Sequence, residues 1–297
     1  MANTDHVRWI HRPELHRPAV IAAFTGWNDA GDAASGAVRH LIERWGAQAL
    51  AEIDPEEFTD FATIRPHVRL TDGRTRQIVW PTVGLWSVST PGADVILVLG
   101  PEPSLRWRLF TEQIVGVAEQ YGASMVLTLG ALLADVPHHG HVQIIGTATD
   151  QAMIDRYDLQ RSRYEGPTGI VGVLHDACSR AGLPSASLWA AVPAYASQIA
   201  SPKAAAALIE RAATLIGSPA PVGELLAEVA DYEARVDALV DDDDDLAAYV
   251  RRLEAISEDD DEDGPIGGGL DDERGTALDS EALMEEIEGF LREQHDD

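Results

Sequence analysis

The sequence has little of what staples, tethers or anchors a chain. Cys178 is the single cysteine among 297 residues, which excludes an intramolecular disulfide and any multi-cysteine metal site. It lies among small residues of an expected helix and reads as a packed side chain rather than a nucleophile. Lys203 is the single lysine. A Schiff-base mechanism or a phosphate-gripping lysine would have to use it, and its setting, Ser201-Pro-Lys-Ala-Ala, matches neither. No apolar run approaches the ~20 residues that span a bilayer. Met1–Pro18 is polar and charged, unlike a secretory leader. The expectation is a soluble, cytoplasmic protein with no membrane insertion. Walker, Rossmann, GxSxG and kinase sequences are missing too, so no catalytic residue is named and no cofactor is expected.

Negative charge is abundant but uneven. The formal net charge is −28, and residues 224–297 hold 28 Asp and Glu against 5 Arg, leaving 22 acidic and 17 basic residues in 1–223. The body therefore has an ordinary surface, and the acidity belongs to the C-terminal part. Such a tail repels phosphate backbones. Nucleic acid is not expected as a partner, whereas a protein partner for the acidic tail is.

Hydrophobic residues make up 45% of the chain, enough for a full core. Apolar runs at Ala19–Phe24, Gln48–Ile53, Asp94–Leu99, Ser124–Leu129, Val142–Gly146 and Ser185–Val192 predict strands. Helical spacing fills Ala30–Trp45, Ser104–Tyr121, Ile154–Leu159, Ile170–Ala181 and Ala204–Ile216 between and after them. Alternation of this kind predicts an α/β fold, a three-layer α/β/α sandwich with a mostly parallel sheet, over a core domain of residues 1–222. Residues 58–90 differ in texture. Alternating stretches at Val68–Leu70 and Gln77–Trp80 flank Asp72-Gly73, a strong hairpin signal, and read as a hairpin insertion projecting from or continuing the main sheet. Two amphipathic helices separated by Asp241–Asp245 make residues 223–256 a C-terminal helical segment. Residues 257–297 read as an acidic linker, with Gly267-Gly268-Gly269, followed by a terminal amphipathic helix over 278–291.

Ligands of open α/β sheets sit at the carboxyl ends of strands, and the strand-ending glycines Gly26, Gly100 and Gly130 put several loops on one rim. Gly26-Trp27-Asn28-Asp29 offers an aromatic stacking face, an amide and a carboxylate; the competing reading is a helix cap with a packed Trp27. The loop from Gly130 to His141 offers Asp135 as a ligand-contacting carboxylate, with His138. The adjacent His138-His139 and the isolated His139-Gly-His141 complete no metal motif, so no metal ligand is named. Glu165, Gly166 and Thr168, in Tyr164-Glu-Gly-Pro-Thr-Gly169, can present backbone N–H groups to an anion, or Thr168 simply caps a helix. Asp29 or Glu165 would serve as acid/base if the pocket were catalytic.

Taken together, PAVIAAFTGWNDAGDAASGAVRHL (18–41), LVLGPEPSLRW (97–107), LTLGALLADVPHH (127–139) and YEGPTGIVGVL (164–174) resemble the proteasome assembly chaperone 2 family in its actinobacterial branch, over roughly residues 7–216. The resemblance implies a core like that of purine nucleoside phosphorylases and peptidyl-tRNA hydrolases. It also implies homotrimers, a β-hairpin insertion used in assembly, and a C-terminal helical lid over a ligand pocket. Relatives can end in a hydrophobic–Tyr–any-residue motif that docks on the proteasome α-ring; this sequence ends Glu293-Gln-His-Asp-Asp297 and lacks it. Two functions stay open. One is a non-catalytic assembly or scaffold protein, a homo-oligomer with a pocket at its strand-end loops. The alternative is a small-molecule-binding protein or hydrolase/transferase using that pocket under the helical lid.

Overall fold

The computed structural model describes residues 3–262, with side chains to Ser257; the expected terminal helix and most of the acidic linker lie outside the described residues. Among the described residues ten strands are formed: β1 Val7–Trp9, β2 Ala19–Thr25, β3 Gln48–Ile53, β4 His67–Thr71, β5 Thr75–Val79, β6 Val83–Ser89, β7 Asp94–Pro101, β8 Met125–Ala134, β9 Ile144–Ala148 and β10 Ser185–Pro193. The helices are α1 Ala33–Arg44, α2 Trp107–Gln120, α3 Gln151–Tyr157, α4 Ile170–Arg180, α5 Pro202–Ile216, α6 Gly223–Asp241 and α7 Asp244–Glu262.

Eight strands make one sheet in the order β1-β3-β6-β7-β2-β8-β10-β9. Its centre, β7-β2-β8-β10, is parallel, and the pairings toward both edges are antiparallel. Five of the eight strands (β3, β7, β2, β8, β10) thus run one way. The central strands are apolar on both faces because both are covered. Ala19, Ile21 and Ala23 of β2 pack toward α1 and α5. Val20, Ala22 and Phe24 pack toward α2 and α4. Alanines at Ala33, Ala34 and Ala37 of α1 and Ala204–Ala206 of α5 keep that helix layer close to the sheet.

Two boundaries differ from expectation for steric reasons. Strand β8 does not stop at Gly130 but runs on to Ala134, paired with β10 throughout. Gly130 lies under the Trp189 indole, where a Cβ would come within 2.5 Å of the ring, so this glycine marks a close approach rather than a strand end. Helix α2 begins at Trp107 rather than after Ser104. The N–H groups of Ser104 and Leu105 both donate to the Phe58 carbonyl, and Arg106 has a left-handed φ of 52°. The lead-in also carries β1, a short edge strand the periodicity does not reveal.

The hairpin forms a separate two-stranded sheet instead of extending the main one. Its Thr71–Arg74 turn has φ of 53° at Asp72 and 69° at Gly73, as an Asp-Gly hairpin turn requires. Val68 pairs with Ile78, so Val68, Leu70 and Ile78 share one face of the ribbon; they are 50%, 56% and 53% exposed. At the other end of the chain, α7 continues past Ser257, where the linker was expected to begin. Asp243, between α6 and α7, accepts from the N–H groups of Asp245 and Leu246 and so starts α7. Tyr232, Val236, Val240 and Val250 of these helices bury against Ala196 with Tyr195 and Ile199. Among the described residues no helix is long and apolar enough to cross a membrane.

Candidate functional site

The site is built where β2 and β7 end and α4 begins. Gly26 turns the chain with φ of 121°, a value that strains any L side chain. The next residues are drawn beside β8, with the Ala131 N–H donating to the Asn28 carbonyl at 2.8 Å. Glu102, one residue past β7, donates its own N–H to the Thr25 carbonyl. Its Oε1 accepts from Asn28 Nδ2 at 3.0 Å and from the Ile170 N–H at 2.7 Å. The first amide of α4 therefore already faces an anion, the protein's own Glu102, at the place where the sequence suggested an anion seat. Burial raises the Glu102 pKa above the ordinary carboxylate value, against the opposing effect of those two hydrogen bonds.

Asp29 Oδ1 accepts from the Ser35 N–H at 2.9 Å, in the first turn of α1. Burial raises its pKa; hydrogen bonding at Ser35 opposes the rise, and the Asp32 charge adds to it. Asn28 and Asp29 are 2% and 6% exposed, yet Asn28 Oδ1, Asp29 Oδ2 and Ser35 Oγ make no well-aligned hydrogen bond. Buried polar atoms are rarely left so. Both Asn28 and Asp29 border a cavity of about 740 Å³, which is also walled by Trp27, Tyr164, Trp189, His175 and Ser197–Ala200. Aromatic faces and unpaired acceptors suit a ligand that stacks and donates hydrogen bonds.

Of the residues singled out in the sequence, Gly26, Trp27, Asn28, Asp29 and Thr168 line this cavity. Gly130, Asp135, His138, Glu165 and Gly166 are not in its wall. Gly130 is covered by Trp189. Asp135, Glu165 and Gly166 are exposed. His138 is buried but turns toward α6. No residue after Ala200 lines the cavity among the described ones; α6 and α7 instead back the Tyr195–Ile199 segment that forms part of its wall. Sequence reading missed Glu102, whose signal was a lone carboxylate in Gly100-Pro-Glu-Pro103. It also missed Ser187 and Trp189, although Ser185, Ser187 and Trp189 alternate with apolar residues along β10. The Ser187 hydroxyl lies 2.7 Å from that of Thr128. Burial lowers the His175 pKa, opposed by Asp176, and its Nδ1 lies 3.1 Å from Ser185 Oγ. Cys178 is fully buried, its thiol pushed up to about 12 by burial, and is no nucleophile near neutral pH. Among the described residues, one group could hold a metal ion: His138, His139 and Asp237, outside the cavity.

The Asp29 carboxyl predicts a pH signature. A folded-state pKa above the ordinary carboxyl value of 3.8 means that the folded chain holds a proton the unfolded chain releases. Stability from this group is present below the unfolded value and is lost as pH rises through the folded one. Asp29→Asn should stabilise the protein by about 0.5–2 kcal/mol at pH 8. That gain should shrink toward zero near pH 4, as read by urea unfolding at both pH values. An equal gain at both would exclude the carboxyl as its source.

Comparison with known proteins adds a family. The family model described as PAC2 family matches residues 23–240. A PAC2 family protein from Streptomyces avermitilis has 45% identity and a TM-score of 0.73, covering 78% of this chain and 99% of its own. A Mycobacterium tuberculosis proteasome-assembly chaperone homologue has 42% identity and a TM-score of 0.71, with the same coverage of 78% and 99%. An archaeal proteasome activator from Pyrococcus furiosus shares the fold at 17% identity, with a TM-score of 0.65 over 78% of this chain and 97% of its own. No curated protein matches the chain.

Proposed function

Because the chain belongs to the PAC2 family, we infer that it is a non-catalytic assembly protein that works as a homo-oligomer on proteasome components. The observation that carries this reading is the 42% identity to a proteasome-assembly chaperone homologue along nearly the whole of that protein. The apolar face of the β4–β5 ribbon supports the oligomer, for an isolated two-stranded hairpin is marginal in water and Val68, Leu70 and Ile78 stand half exposed on it. Three copies, each giving its hairpin to a neighbour, are the arrangement we favour. The acidic C-terminal part then offers a second, charged contact for a protein partner.

The strand-end cavity, in a phosphorylase-like layering, is read as a binding pocket for a small molecule rather than a reaction centre. Ser187 is hydrogen-bonded to Thr128, and the serine paired with His175 is Ser185, which does not line the cavity. Trp27, Asn28, Asp29 and Thr168 are the contacts we assign to the ligand. The test is capture on the immobilised intact chain from a mixture of purified proteasome subunits. Retention of α-type subunits is the expected result. Passage of every subunit through the column would sink the assembly reading.

A further inference from the structure

Away from the cavity, the loop after β8 meets α6 through two imidazoles and one carboxylate. His138 Nε2 lies 3.0 Å from Asp237 Oδ1, and His139 Nε2 lies 3.1 Å from the same oxygen. The three ligand atoms all fall within 4.8 Å of one another. We propose that His138, His139 and Asp237 form a binding site for a zinc-type divalent cation that clamps α6 to the core.

The distances fit the chemistry. Zinc holds imidazole nitrogen at about 2.0–2.1 Å and carboxylate oxygen at about 2.0–2.2 Å, so adjacent ligands of a tetrahedral site stand about 3.3 Å apart. The two imidazole–carboxylate separations need to open by only a few tenths of an ångström, and the imidazole nitrogens lie within 4.8 Å of each other. Three protein ligands leave a fourth position for water, and Glu233 Oε1 lies 3.9 Å from His139 Nδ1, the ring nitrogen that does not face the site.

The site is also oriented from behind. The His138 ring is buried, 2% exposed as a side chain. Its Nδ1 is 2.9 Å from the Tyr195 hydroxyl, which at 2.9 Å also accepts the His138 backbone N–H. A hydroxyl oxygen has two lone pairs. It can accept from both the backbone N–H and Nδ1–H, which leaves the Nε2 lone pair free for metal. This is the outer hydrogen bond that metal-bound histidines usually make. Lys203 Nζ fixes the loop by donating to the His138 carbonyl at 2.7 Å, and it is neutralised by Glu233 at 2.5 Å. Its charge is therefore compensated next to the cation. His139 and Asp237 are half exposed, which gives an ion a way in.

Sequence spacing could not show the site, since Asp237 lies 99 residues beyond His138. The adjacent histidines, which complete no metal motif in the sequence, meet a carboxylate only in the fold. Both rings turn their Nε2 to the same oxygen, with centroids 4.1 Å apart.

The test titrates Zn²⁺, then Co²⁺, into the full chain after chelator treatment, by calorimetry and visible absorption. His139→Ala and Asp237→Asn are run in parallel, each first matched to the wild type by circular dichroism in chelator. His139 is exposed, so its loss leaves the fold intact. One strong site per chain is expected, with a d–d spectrum for Co²⁺ of low coordination number and a rise in Tm with Zn²⁺. Each variant should weaken binding at least 10-fold and abolish the rise in Tm. Absence of binding by the wild type overturns the proposal. So does equal binding by His139→Ala, which would place the ion on the acidic C-terminal residues.

Discussion

Replacing Phe110 by alanine should lower the unfolding free energy by about 3–5 kcal/mol, the cost of emptying an aromatic site in a packed core. Phe110, on α2, is 1% exposed and meets two other rings edge-on. Its centroid is 5.8 Å from that of Phe24 on β2 and 5.4 Å from that of Phe58. Edge-to-face pairs add about 0.5–1.5 kcal/mol each beyond area burial. The damage should also spread. The Phe58 carbonyl holds the N–H groups of Ser104 and Leu105, and the segment after Phe58 leads through Phe61, edge-on to Trp80 with ring centroids 5.1 Å apart, into the hairpin. Urea midpoints at one fixed protein concentration measure the effect, since oligomerisation otherwise shifts them. A loss below about 1 kcal/mol would mean that the three rings do not pack as described.

The sandwich was legible because its central strands are unbroken apolar runs and its helices carry clean helical spacing. Ala19–Phe24 had to be a doubly covered strand, and Asp72-Gly73 had to be a hairpin turn. What periodicity could not give was the sheet's edges. Val7–Trp9 is too short to show a pattern, and the end of β8 is decided by Trp189, distant in the chain, lying over Gly130. The site was half legible for the same reason. Trp27, Asn28 and Asp29 stand together because they are adjacent in sequence. Glu102, which ties Asn28 to Ile170, comes from another strand, and its role exists only once three chain segments meet. Asp135 and Glu165 looked equivalent to Asp29 as loop carboxylates, but only folding reveals that Asp29 is buried and the other two are exposed.

The ribbon formed by β4 and β5 is the face we assign to the proposed oligomer, and the double substitution Leu70→Asp with Ile78→Asp should disassemble it. In a single chain both side chains are more than half exposed, so the change should cost the fold about 0.5 kcal/mol or less per site. In an oligomer that covers this face, each carboxylate would be buried without a partner, at about 3–5 kcal/mol. Association should weaken by a factor of about 100 or more. Leu70→Thr with Ile78→Thr keeps strand propensity while removing apolar surface, and should give an intermediate loss. Sedimentation equilibrium of the intact protein beside the double aspartate variant is the most direct measurement. Three chains of 32.0 kDa each are expected for the wild type and a single chain for the variant. A wild type that sediments as one chain, or a variant that keeps the wild-type mass, would contradict the proposed oligomer.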